Sequence, residues 1–203
     1  MELEQQRASV ERSPLLFIKV GLVGCTPIGF ERQLATELGA TYLNLDEIAG
    51  CIPEVTPQSD QSIEDAENER RKTAGIVMAD LAVSRLVNGN NVMFDKFLNS
   101  PHNRARAKGI ARRGGGRLIA LNFKTPADVI TERRLELQGL EQGSNGKIQS
   151  PTKEKQVVYS LLNRLHGVSS TEDIDRVITL TGRQDAERLS QNIRDSLVIG
   201  GLI

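Results

Sequence analysis

The chain reads as a single α/β domain, a parallel sheet with helices on both faces. Three observations predict this. Short, partly β-branched apolar runs alternate with longer helical patterns, the first run leads through Gly24 to a helix that opens at Gly29, and two later runs are followed by aspartates, Asp46 and Asp95. Strands separated by helices require right-handed crossovers, which point every strand the same way. A length of 203 residues suits one such domain with a small insertion.

Residues 1–14 are polar and charged without a clear period and are expected to form a loose arm, with the domain running over 15–203. LLFIKVGLV, from Leu15 to Val23, is short, apolar and closed by Gly24, as a strand buried on both faces would be. Gly29 opens a helical pattern with Leu34, Ala35 and Leu38 on one face, and Gly39 closes it. ATYLNL is a second strand, followed by Asp46. A long helix is expected from Ser62 to Leu86, with Ile63, Ala66, Ile76, Val77, Ala79, Leu81 and Val83 among its apolar positions.

NGNNVMFD turns into a third strand ending at Asp95. A basic helix from Pro101 to Arg113 stops at Gly114, Gly115 and Gly116, and RLIALNF is the fourth strand. Pro126 starts another helix, DRVITL is the fifth strand, and a last helix runs from Asp185 to Leu197. Between Gln138 and Thr152 the chain is rich in Gly, Ser and Asn, so this stretch is expected to be the most mobile internal segment, within a small lid over about 138–165.

Composition narrows the function classes. Hydrophobic residues make up 38% of the chain and aromatic residues 3%, so the core is built from Leu, Ile, Val and Ala. Lys plus Arg equals Asp plus Glu at 26 each, which leaves no overall field to attract nucleic acid or an acidic membrane. Two cysteines, Cys25 and Cys51, are too few for a disulfide scaffold, and a reducing cytoplasm is the expected compartment. No apolar run approaches a membrane span, and acids follow Met1 where a secretory signal needs positive charge.

The loop after the first strand is Gly24-Cys25-Thr26-Pro27-Ile28-Gly29-Phe30-Glu31. Its spacing, with a strand before and a helix after, matches the frame G-x-x-x-x-G-K-[ST], whose backbone N–H groups cradle phosphates. Phe30 stands where the frame has lysine, and Glu31 where it has a hydroxyl. That lysine sets a positive charge against the terminal phosphates, and the hydroxyl holds Mg²⁺. Phe30 does neither. Glu31 repels a bound phosphate unless a metal bridges them, although at a helix start it favours the helix by about 0.3–1 kcal/mol. Pro27 lacks an N–H for the cradle and cannot adopt a positive φ. Arg32, Lys19 and Lys96 are the candidates for a replacement charge, with Lys19 inside a strand.

GLVGCTPIGFERQLATELGATYLNLDEI resembles the opening of the small ATP-dependent P-loop kinases grouped with polynucleotide kinase and zeta-toxin-like proteins. NVMFDKFLNSPHNRARAKGIARRGGG resembles their third strand and following helix, and IALNFKTPADVITERR their fourth strand and the start of the lid. The resemblance runs in order from Leu16 to Leu197. It implies a three-layer sandwich with five parallel strands ordered 2-3-1-4-5, ATP with Mg²⁺ as cofactors, and a nucleotide or small phosphorylated ligand as partner.

The resemblance also assigns roles. Asp46 matches the acid that takes the proton from the attacking hydroxyl, although Ala49 stands where the family often has arginine, and Asp46 answers equally to a cap on the turn EIAG. Asp95 matches a strand-end acid near Mg²⁺ or substrate, or marks where the chain meets water. Arg104 matches an arginine on the substrate side, suited to bidentate phosphate contacts, while Arg106, Lys108, Arg112 and Arg113 read as a solvated face. Arg134, beside Arg133, sits where such kinases supply an arginine to the transferring phosphate. Lys147, Lys153 and Lys155 are further lid charges.

His102 and His166 lack metal-ligand spacing, and no aromatic interleaving points to nucleic acid. Cys25 precedes a helix N-terminus, which lowers a thiol pKa, or is a small buried loop residue. The altered loop implies a kinase-like protein with impaired or absent phosphotransfer, kept for ligand binding or interaction. The alternative is an active phosphotransferase acting on a hydroxyl of a nucleotide, nucleic acid end or small metabolite.

Overall fold

The computed structural model describes residues 13–53, 62–142 and 150–203. β1 (Leu15–Val20) is buried at every position and lies at the centre of a five-stranded sheet. With β2 (Ala40–Leu43), β3 (Asn91–Phe97), β4 (Arg117–Lys124) and β5 (Arg176–Thr181), the strand order is β2-β3-β1-β4-β5, and every neighbouring pair is parallel. The expected order 2-3-1-4-5 is therefore the observed one. The C-terminal ends of β1, β2 and β3 all open on one edge of the sheet, where ligands of open parallel sheets bind.

α1 (Phe30–Glu37) buries Leu34 and Ala35, as its period predicts, and Phe30 with them, and Gly39 ends it with φ 57°. α2 (Leu45–Cys51) is a short helix where the sequence reads only as a turn; the Asn44 side chain caps it by accepting from the Glu47 N–H at 2.9 Å. α3 (Ile63–Val87) is capped by Ser62, and its buried stripe is not among the apolar positions that the sequence reading named. Ala74, Met78, Ala82 and Leu86, spaced by four, face the core, whereas Ile76, Val77 and Leu81 are exposed. Apolar side chains surround this helix, so their period is weak, and the narrow row with two alanines is the one that lets it approach the sheet.

α4 (Pro101–Arg113) starts at a proline and is capped by Ser100. Behind it, a Cβ at Gly114 would fall 2.5 Å from Leu86 Cβ, so the ends of α3 and α4 meet only because that residue is glycine. α5 (Ala127–Gln142), α6 (Pro151–Asn163) and α7 (Ala186–Ile199) complete the described elements.

The alternation of β1 divides the apolar residues between two layers. Leu15 and Phe17 join Phe30, Leu34, Leu189 and Ile193 on one face; Leu16 and Ile18 join Met78, Ala82 and Phe94 on the other. Of the stretch expected to be a mobile loop, 138–142 continue α5 and 150–152 cap and begin α6; 143–149 lie outside the described residues, as do 1–12 of the arm. No described helix is long and apolar enough to cross a membrane.

Candidate functional site

The loop from Gly21 to Glu31 is held from two sides. The Asn99 side chain, just beyond β3, accepts from the Gly21 N–H at 3.0 Å and donates to its carbonyl at 2.7 Å. Thr125 Oγ1 and Arg133 Nη1 both donate to the Cys25 carbonyl, at 2.9 and 3.0 Å. Gly24 (φ 89°) presses on α5: a Cβ there would meet Arg134 Cγ at 2.9 Å and the Ile130 carbonyl at 3.0 Å. Inside the loop, Cys25 N–H donates to Leu22 and Phe30 N–H to Pro27, while Gly29 turns with φ 76°.

Two loop side chains are buried; for Cys25 this is the second of the two readings that the sequence left open. Burial, and after it the charge of Glu31, pushes the Cys25 thiol up to about 12, so this is no activated thiolate. Phe30 does not reach toward the loop interior. It is 1% exposed and meets Phe123 edge to face, with ring centroids 6.2 Å apart, as part of the core.

Lys19 shares the face of Leu15 and Phe17 and is 2% exposed, and this carries its ammonium to the loop. Lys19 Nζ lies 2.9 Å from Glu31 Oε1 and 3.4 Å from Asp95 Oδ1, and 4.4 Å from the centroid of the Phe97 ring. Thr26 Oγ1 donates to the same Glu31 oxygen at 2.8 Å. Asp95 also accepts from the Tyr42 hydroxyl at 2.5 Å and from Asn44 Nδ2 at 2.7 Å. Burial first, then the hydrogen bond to Asp95, raises the Tyr42 pKa, which keeps the phenol a donor.

An irregularity in β3 contributes to this arrangement. Phe17 pairs with Met93 but Lys19 with Phe97, so β3 holds extra residues in this span, Asp95 among them. Such bulges re-aim side chains. The sequence signal that could have found the cluster is the single lysine in a wholly apolar strand, because a charge buried there must have partners. Nothing comparable marks Tyr42 and Asn44. The other two candidate cations lie elsewhere: Arg32 pairs with Glu47 at 2.5 Å on the exposed surface, and Lys96 is exposed in a cleft with Phe94 and Leu98.

Asp46 is exposed and lies one residue inside α2, bonded to Arg71 Nη2 at 3.1 Å; the cap it was expected to form is made by Asn44. Arg104, expected at the substrate, is fully buried and gives its donors to protein. It holds Glu172 at 2.6 and 2.7 Å and the carbonyls of Leu98, His166 and Gly167 at 3.0, 3.2 and 3.1 Å. Apart from Leu98, which directly follows β3, those partners come from the segment before β5, which sequence spacing could not place against α4. The same segment takes Lys108 through Asp175 at 2.6 Å and Arg112 through Asp173, so much of the basic face is an internal seam.

Arg134 donates from Nε to Glu154 at 2.5 Å, and that carboxylate, 1% exposed on α6, also accepts from Gln138 at 3.3 Å. Lys153 and Lys155 are exposed on α6, and Lys147 lies outside the described residues. Among the described residues no group of His, Cys, Asp and Glu large enough to hold a metal is found.

Comparison with known proteins agrees with this architecture. The AAA_33 family profile, an AAA domain, matches residues 18–169. No curated protein matches the sequence. Among solved structures, a putative kinase from Chloroflexus aurantiacus superposes with a TM-score of 0.61 at 18% identity, covering 93% of this chain and 98% of that one. The APS kinase of Mycobacterium tuberculosis, in complex with AMPPNP and APS, gives 0.55 at 16% identity, covering 91% and 98%. The shikimate kinase of Acinetobacter baumannii, in complex with shikimate, gives 0.51 at 18% identity, covering 95% and 97%. At these identities the likeness is one of fold, and the fold is that of the P-loop kinases.

Proposed function

Because this chain belongs to the AAA_33 family of AAA domains and has the P-loop kinase fold, we propose that it is a kinase-like protein with a degenerate Walker A loop, whose ATP phosphotransfer is impaired or absent, and which is retained for binding a ligand. One observation carries the reading: the buried ammonium of Lys19 is held by Glu31 and Asp95. In a working loop the cation faces the phosphates and the oxygens of the hydroxyl and strand-end acid face Mg²⁺. Here the cation and those acids satisfy one another.

The residues present do not fit Mg²⁺ in this arrangement. Glu31 Oε1 already accepts from Lys19 and Thr26, and both oxygens of Asp95 accept from Lys19, Tyr42 or Asn44. A metal would have to expel the ammonium that stands between the two carboxylates. Phosphate binding would add negative charge beside Glu31 and Asp95, against one lysine. Both changes oppose Mg-ATP.

Calorimetric titration of the full chain with Mg-ATP tests the reading. We expect no saturable binding up to millimolar nucleotide. Tight binding together with transfer or hydrolysis of the terminal phosphate would overturn it. Such a result would establish the alternative, an active phosphotransferase in which Lys19 serves as the phosphate cation, which its position beside the loop also favours.

A further inference from the structure

The end of β3 serves two sides of the molecule. Asp95 turns to Lys19 and the loop, while Phe94, Lys96 and Leu98 line a separate cleft of about 790 Å³ between α3 and α4. That size falls within the roughly 300–1,000 Å³ of small-molecule sites. Ile76, Ala79 and Ile110 supply accessible apolar surface over a floor of the buried Met78, Phe94 and Leu98, and Lys96 and Arg106 bring two positive charges to it.

These two cations differ from the other charges around the cleft. Lys72 is paired with Glu69 at 3.1 Å, Arg71 with Asp46 at 3.1 Å, and Asp65 accepts from Ser62 Oγ at 2.7 Å. On α4, Arg104, Lys108 and Arg112 are all taken by the segment before β5. Among the described residues, Lys96 and Arg106 make no ion pair and no side-chain hydrogen bond. An apolar wall with two cations that have no counter-charge among the described residues is complementary to a molecule that has an apolar body and an oxyanion at one end.

We propose that this cleft binds a small organic anion, a carboxylate or phosphate monoester on an apolar body, with Lys96 and Arg106 holding the oxyanion and Ile76 and Ile110 packing the body. The proposal rests on the reading that the fold is retained for ligand binding, but it uses neither Lys19 nor the phosphate loop. Its failure is therefore separable from that of the ATP reading.

The test is calorimetric titration of the full chain with phenyl phosphate, benzoate, the neutral benzamide and inorganic phosphate. Phenyl phosphate or benzoate should bind saturably, and whichever binds more tightly identifies the headgroup as phosphate or carboxylate. Benzamide should bind about tenfold more weakly or not at all, since a hydrogen bond to a charged group contributes about 1.5–3 kcal/mol. Inorganic phosphate should be weaker because it lacks the apolar body. Lys96→Met and Arg106→Met, both exposed positions whose folding circular dichroism checks, should each weaken the preferred anion about tenfold. Lys96→Arg, which keeps the charge, should retain most of the binding. The proposal is overturned if benzamide binds as well as benzoate, if the double Met variant binds the anion unchanged, or if no organic anion binds at millimolar concentration.

Discussion

Lys19 Nζ lies 2.9 Å from Glu31 Oε1, so the cation of β1 and the acid of the first turn of α1 neutralise each other at the place where the fold family meets phosphate. By spacing, Glu31 takes the last position of the G-x-x-x-x-G-K-[ST] frame, and its Oε1 is the atom that holds both Lys19 and Thr26. The same ammonium reaches Asp95, which ties the loop to β3.

Removing that cation should be costly. Lys19→Met leaves Glu31 and Asp95 facing each other in a largely buried site, and breaking a buried pair from one side typically costs about 3–5 kcal/mol. We expect a loss of about 3 kcal/mol by urea denaturation, with Lys19→Met/Glu31→Gln recovering much of it. A single variant as stable as the natural chain would show that the ammonium is not buried among these acids.

Glu31→Ser should free Lys19 while restoring a hydroxyl. Mg-ATP binding should then become measurable by calorimetry, whereas the natural chain is expected to show none. Phe30→Lys, the repair that the motif alone recommends, should instead unfold the chain or leave it strongly destabilised, because Phe30 is buried against Phe123. Thermal denaturation of the two variants separates these outcomes.

The seam between α4 and the segment before β5 should set the acid limit of stability. Hydrogen bonding from Arg104 holds the Glu172 carboxyl below its ordinary 4.5. At Asp175 burial pushes upward, but hydrogen bonds from Lys108 and the Leu118 N–H, with the charges of Lys108 and Arg117, bring the carboxyl below its ordinary 3.8. Lowered carboxyl values contribute stability that is fully present above the unfolded pKa values and is lost as pH falls through the folded ones. Urea midpoints should therefore hold steady from pH 7 to about 5.5 and fall at lower pH. Glu172→Gln should be less stable at pH 7 and show a shallower acid decline.

Arg134 should anchor α6 to α5. Arg134→Met strands the Glu154 carboxylate, which is 1% exposed, with only the long contact to Gln138. Hydrogen exchange should accelerate in α6 and in the second half of α5, with β1 and β4 little changed. Uniform acceleration throughout the sheet would mean that α6 does not open separately from the rest.

The elements whose physics is local are legible in the chain alone. β1 must be central because LLFIKV is apolar on both faces, and α1 is bounded by glycines that supply its turns. Parallel order then follows from crossovers, and the loop between Gly24 and Glu31 is identified by spacing alone. Alternation along β1 even puts Lys19 on the face of α1, although its contacts are not written there.

Only the tertiary structure decided which charges meet. Asp95 is aimed by an irregularity in β3, Tyr42 and Asn44 arrive from β2 and the start of α2, and Arg104 is consumed by a segment some sixty residues away in the chain. The buried stripe of α3 was not legible for the same reason, since which of several apolar stripes faces the sheet depends on the surface it packs against. A strand or helix records its own period, but a buried ion pair is a relation between elements distant in the chain. Its partners are set by packing, because a charge withdrawn from water is stable only where the fold delivers its counter-charge.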